Sequence, residues 1–192
     1  MLLLIAGLVV FLGAHSVRIF ADGWRTRQRE RLGQMRWKLI VSLVSVAGFA
    51  LLIWGYSLAR ADPIIVWTPP VWTRHAAALL VLLAFILLVA AYLPGTRIKA
   101  AVGHPMVVAV KVWALAHLMA NGTLHDIVLF GSFLVWSILA FATARRRDRA
   151  AGVRYPALGI GRDVAAVVVG AVAWGFFAHV GHRWLIGVSP FG

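Results

Sequence analysis

Apolar residues run along this chain in blocks, not in alternation. Six blocks approach the roughly 20 residues that a membrane-spanning helix needs. They cover about Leu2–Phe20, Leu39–Leu58, Ala76–Leu93, Met106–Ala120, Leu124–Thr143 and Val164–Ile186. The fourth is the shortest and carries a lysine. Inside lipid every backbone N–H and C=O must bond within its own segment, so each block predicts a helix. A β-barrel would show alternating ten-residue segments, and the sequence has none. The pattern therefore predicts an all-α, polytopic membrane helix bundle with about six transmembrane helices.

The polar segments punctuate these blocks. DPIIVWTPPVWTRH, between the second and third, has prolines that stop a helix and Trp67 and Trp72 suited to a membrane interface. It is expected to lie over the mouth of the bundle. LPGTRIKAAVGHP turns at Pro94 and Gly95, and Asn121-Gly122 ends the fourth block. The first block lacks a basic segment before it and a small-residue cleavage site after it, so it reads as a retained helix, continuing amphipathically past Trp24. No repeat or low-complexity stretch divides the chain, and residues 1–192 read as one transmembrane domain.

Composition agrees. Of 192 residues, 62% are hydrophobic and only 13% charged, whereas a soluble domain is nearer half apolar. The formal net charge of +13 might suggest nucleic acid. Its distribution excludes that, because no soluble domain remains to present a groove. Arg25, Arg27, Arg29, Arg31, Arg36, Lys38, Arg97, Lys99, Arg145, Arg146, Arg147, Arg149, Arg154 and Arg162 all fall in or beside odd-numbered loops. Only Arg60, Arg74 and Arg183 fall on the other side. The positive-inside rule makes the odd loops cytoplasmic and both termini periplasmic, as in a bacterial inner membrane, with membrane lipid as the surrounding partner.

With no cysteine, the available metal ligands are imidazole, carboxylate and thioether. His15 and His117 lie inside apolar blocks, where ionisable side chains default to functional hypotheses. At roughly 100° per residue, His104 and Lys111 share one stripe of the fourth helix. His117 shares another with Trp113 and Asn121. A lysine near mid-helix costs about 2.5–3.5 kcal/mol on insertion scales, and no acidic residue lies deep in any block to pair with Lys111. Arg18 follows His15 by one turn. Helix directions place Arg18 and Lys111 on the cytoplasmic side of their respective histidines. Two imidazoles with cations displaced the same way suit a haem whose propionates point to the cytoplasm. His117 is expected near mid-membrane and His15 nearer the cytoplasmic edge. A second reading stays open: histidines that bond across helices for packing, with Arg18 at the interface and Lys111 snorkelling.

His179 and His182, at i and i+3, lie toward the periplasmic end with His75 and His125, where a second metal site is conceivable but interfacial histidines are common. His104 precedes Pro105 at a helix start and is expected to cap it or to support a ligand from behind. Gly170, Ala171, Ala173 and Gly175 favour close helix packing. No phosphate loop, HExxH or serine elbow is present.

The stretches GAHSVRIFADGWR, AAYLPGTRIKAAVGHPMVVAVKVWALAHLMANG, LFGSFLVWSILAF and HRWLIGVS, above all HP-x5-K-x-W-x3-H-x3-NG, resemble the NnrU family over most of the chain. That family is related to the plant and cyanobacterial ζ-carotene isomerases. The resemblance implies a polytopic membrane protein. Through the isomerase branch it implies haem b held by two histidines, which correspond here to His15 and His117. His104 matches a further functionally implicated histidine. In the isomerase, ferrous iron is expected to release one histidine and expose a Lewis-acidic site to a polyene. Bacterial NnrU members are instead associated with denitrification, near nitrite and nitric oxide reduction. The chain is close to a bare family core, without the longer N-terminal portion of the plant enzymes. Three functions follow as alternatives. One is a haem protein of nitrogen-oxide metabolism meeting nitric oxide. Another is a haem-dependent cis–trans isomerase of a lipid-soluble substrate. The last is a cofactor-free subunit whose apolar faces pack in a homo-oligomer or larger membrane complex.

Overall fold

The computed structural model describes Met1–Phe191. It is all-α and polytopic. The helices are α1 (Leu2–Phe20), α2 (Asp22–Leu32), α3 (Gln34–Ala61), α4 (Trp72–Tyr92), α5 (Arg97–Val102), α6 (Pro105–Ala120), α7 (Leu124–Ala150), α8 (Ile160–Phe176) and α9 (His182–Ile186). A π-helical turn, Phe177–Gly181, joins the last two. Among the described residues, five stretches are long and apolar enough to cross a bilayer: α1, α3, α4, α7 and Ile160–Ile186. The sixth apolar helix, α6, has 16 residues and is therefore about 24 Å long, short of the ~30 Å hydrocarbon core. Large apolar side chains such as Leu43, Val46, Trp54, Leu79 and Val172 are exposed, as lipid-facing residues must be.

Several boundaries differ from those the apolar blocks predict. α3 begins at Gln34 and α7 runs to Ala150, because helices continue through polar residues that hydropathy does not mark. The first helix does not continue past Trp24. Ala21 leaves helical geometry at φ −139°, and the charged α2 starts afresh. Gly33, at φ +78°, then turns the chain into α3, a conformation that favours glycine.

The chain forms two compact units, Met1–Trp67 with Gly122–Ala140, and Thr68–Asn121 with Phe141 onward. In the first, α1 packs along α3. Leu4, Leu8 and Leu52 form its buried centre, with Phe11, Tyr56 and Phe133 against it. Three glycines permit the approach. A Cβ on Gly7 would stand 2.6 Å from the Leu52 nitrogen, one on Gly48 would stand 2.7 Å from the Phe11 nitrogen, and one on Gly55 would collide with the Leu4 backbone. The segment between α3 and α4 is largely non-helical and pairs its backbone. Leu124 N–H donates to the Ile64 carbonyl at 2.8 Å, and Val66 N–H donates to that of Gly122 at 2.8 Å.

Beside this pairing lies a buried polar network. Tyr56 donates to Asp126 Oδ1 at 2.7 Å and Thr123 to Asp126 Oδ2 at 2.5 Å. Thr123 spends its only proton there, so His125 Nε2–H donates to Thr123 Oγ1 at 3.1 Å. His125 and Asp126 are both buried, and every contact satisfies a group that burial would otherwise penalise. Tyr56→Phe removes a donor from the Asp126 carboxylate. Its expected cost of about 1–3 kcal/mol is measured as a lowered thermal midpoint in detergent, and an unchanged midpoint would contradict the assigned role.

In the second unit, α4 packs against α6 and α8. The seams use small residues: Ala84 and Ala109 are buried between α4 and α6, and Ala166 and Gly170 on α8. A Cβ on Gly170 would meet the Ile86 backbone at 2.7 Å, whereas one on Gly175 would meet nothing within 4 Å. The α4–α6 turn is pinned from α8, whose Asp163 accepts from Ile98 N–H at 3.2 Å. Arg162 donates to the Pro94 carbonyl.

Candidate functional site

His15 belongs to the first unit, near the C-terminal end of α1. Its ring Nδ1 lies 2.8 Å from the Phe11 carbonyl. A carbonyl can only accept, so Nδ1 carries the proton and Nε2 the lone pair. The ring packs on Phe11 at 4.4 Å and meets Trp136 edge-on at 6.2 Å. The indole Nε1 of Trp136 is buried and has no hydrogen-bond partner among the described residues. Arg18 is exposed in the last turn of the same helix.

His117 repeats the arrangement in the second unit. Its Nδ1–H donates to the Trp113 carbonyl at 2.8 Å, which again leaves the lone pair on Nε2. It sits in the last turn of α6, which stops at Ala120 as the apolar block predicts. Asn121 anchors that end, its backbone N–H and its side-chain amide each donating to the His117 carbonyl at 2.9 Å. His117 lines a cavity of about 540 Å³ with Trp113, Phe85, Trp174, Phe177 and Arg74. That volume lies within the range of roughly 300–1,000 Å³ that suits small molecules and cofactors.

His182 lines the same cavity. Its Nδ1–H donates to the Val188 carbonyl at 2.7 Å, made reachable by the left-handed Gly187 at φ +83°. The π turn just before it changes the spacing on which an i, i+3 histidine pair depends, since its turns are wider than those of an α-helix. His179 is exposed and stacks on Phe191 at 5.5 Å. His75 is exposed at the start of α4, and His125 is held in the Tyr56–Asp126 network of the other unit. Among the described residues no three metal-type ligands come together.

Lys111 does not line the cavity. Its ammonium lies 4.5 Å from the centre of the Phe141 ring, a cation–π contact that shelters the charge without a carboxylate. His104 does stand at the N-cap of α6, yet its side chain makes no capping bond. Its Nε2–H donates instead to Asp148 Oδ2 at 2.8 Å. Tyr155 donates to the same oxygen at 3.0 Å, and Arg145 lies 4.0 Å away. Burial, then the adjoining Asp148 carboxylate, raise the Tyr155 phenol above its ordinary range. Neither Asp148 nor Tyr155 is marked by a motif. The one available signal is that Asp148 is an acid set among arginines in a short basic run.

His117 and His182 thus share one cavity, His104 lies in a separate cluster of that unit, and His15 and Arg18 belong to the other unit. No curated protein and no solved structure matches the chain. A family model described as NnrU protein matches residues 3–190, nearly the whole length, and the chain belongs to the NnrU family.

Proposed function

We propose that this protein binds haem b in the bacterial inner membrane, with both termini periplasmic, and serves nitrogen-oxide metabolism. The observation that carries the reading is His117: a proton fixed on Nδ1 by the Trp113 carbonyl, a lone pair on Nε2, and an apolar cavity of about 540 Å³ beside it. A ring nitrogen that ligates iron commonly hands its other N–H to a carbonyl in this way, which fixes the tautomer and strengthens the donor. His15 has the same tautomer from Phe11 and is the second imidazole that the family resemblance implies. Bound haem would supply redox-active iron chemistry suited to an apolar diatomic such as nitric oxide. The chain's own part is to hold the imidazoles, wall the site with Trp113, Phe85 and Phe177, and exclude water.

Those aromatic walls also favour a second reading, haem-dependent cis–trans isomerisation of a polyene, which needs a long apolar surface. One preparation separates the alternatives. Protein purified from haem-replete cells is expected to show a Soret band that shifts on dithionite reduction and again on adding nitric oxide. Turnover of a central-cis polyene under reducing conditions would favour the isomerase instead. Well-folded, colourless protein would overturn both and leave the cofactor-free subunit.

A further inference from the structure

We propose that Arg74 anchors the carboxylate arms of the porphyrin that His117 faces, so that these arms point away from the arginine-rich loops. This rests on the haem reading and goes beyond it in naming the anchoring residue and the direction. Among the described residues lining the cavity, Arg74 alone carries a permanent charge, and no aspartate or glutamate accompanies it. The walls around it are mostly alanines, aliphatic side chains and aromatics, with Asn121 and Ser189 as uncharged polar members. A guanidinium beside such a surface suits a ligand that is mostly apolar and ends in a carboxylate, which arginine grips through two parallel hydrogen bonds.

Position agrees. Arg74 lies in the first turn of α4 and His117 in the last turn of α6. These helices pack along each other and are joined through the short α5, so both residues sit at one end of the pair. Arg74 lines the cavity while remaining exposed, which puts it at the mouth. Lys111, the cation that the sequence offers for this task, is turned onto Phe141 instead. By the distribution of basic loops, the end that holds Arg74 is the periplasmic one.

The test deletes the charge on each side in turn. Full-length protein in detergent, stripped of endogenous haem, is titrated with ferric protoporphyrin IX and with its dimethyl ester, and binding is read from the Soret band and from tryptophan quenching. Wild type is expected to bind the free acid about tenfold more tightly than the diester. Arg74→Gln should bind both with the same weaker affinity, and Arg74→Lys should recover part of the preference. Equal binding of the two porphyrins by wild type would overturn the anchor and leave the haem reading standing. So would a preference that survives in Arg74→Gln, or one lost in Lys111→Met. Wild type that takes up neither porphyrin would overturn the haem reading itself, and the anchor with it.

Discussion

Replacing His117 with alanine is expected to abolish the Soret band of protein purified from haem-replete cells. The expectation follows from how the side chain is held. Its Nδ1–H is committed to the Trp113 carbonyl, its own carbonyl is fixed twice by Asn121, and its ring packs against Trp113 at 5.1 Å. An imidazole fixed this firmly loses little freedom when Nε2 meets a metal. Removing it should cost more than the roughly 10–100-fold that changes behind a ligand cost. Added imidazole should restore part of the band, because the truncation leaves room for it beside the cavity. His15→Ala should lose or alter the band, since one imidazole is then missing. A full band in folded His117→Ala protein would rule out His117 as a ligand.

The second large effect concerns the α1–α3 seam. Gly48→Ala places a methyl group against the Phe11 backbone, and Gly7→Ala places one against that of Leu52. A side chain could rotate away, but backbone cannot, so α1 must move. Overpacking of this kind costs about 1–3 kcal/mol and occasionally more. Gly13→Ala, in the same helix, meets nothing within 4 Å and is expected to be neutral or to stabilise by up to about 1 kcal/mol through helix propensity. The contrast, read as thermal midpoints of the three variants in one detergent, separates packing from propensity. Equal shifts at Gly13 and Gly48 would remove the seam as the explanation. Phe11 also accepts the His15 hydrogen bond, so a displaced α1 should disturb that imidazole too.

Apolar periodicity marks which residues need lipid, and for that reason the blocks locate α1, α3, α4, α6, α7 and α8. It is blind to the charged continuations of α3 and α7 and to the break at Ala21, where backbone geometry decides. The Gly7, Gly48 and Gly55 seam leaves no short motif, because its members are split between two helices and the last two lie seven residues apart. The small residues of α8 are visible as a cluster, yet only a structure distinguishes Gly170, where an added Cβ would run into α4, from Gly175, where one would meet nothing within 4 Å. Among the candidate ligands, His15 and His117 stand out because imidazole is costly in an apolar run. Their shared tautomer does not, since it depends on carbonyls one turn back. The roles of Lys111 and Arg74 hinge on which way each side chain turns, and charge along the sequence carries no such direction. Asp148 and Tyr155 join His104 across 44 or more residues, a separation that no local spacing encodes.

The π turn at Phe177–Gly181 adds one surplus residue to the final span. A turn of that width takes up the extra position locally, so losing one residue there would restore regular winding and leave His182 facing as before. An added residue in α8, which nothing absorbs, would instead swing His182 round the axis by roughly 100°. Aim at this end of the cavity is therefore sensitive to the length of the polypeptide on one side of the wide turn and buffered within it.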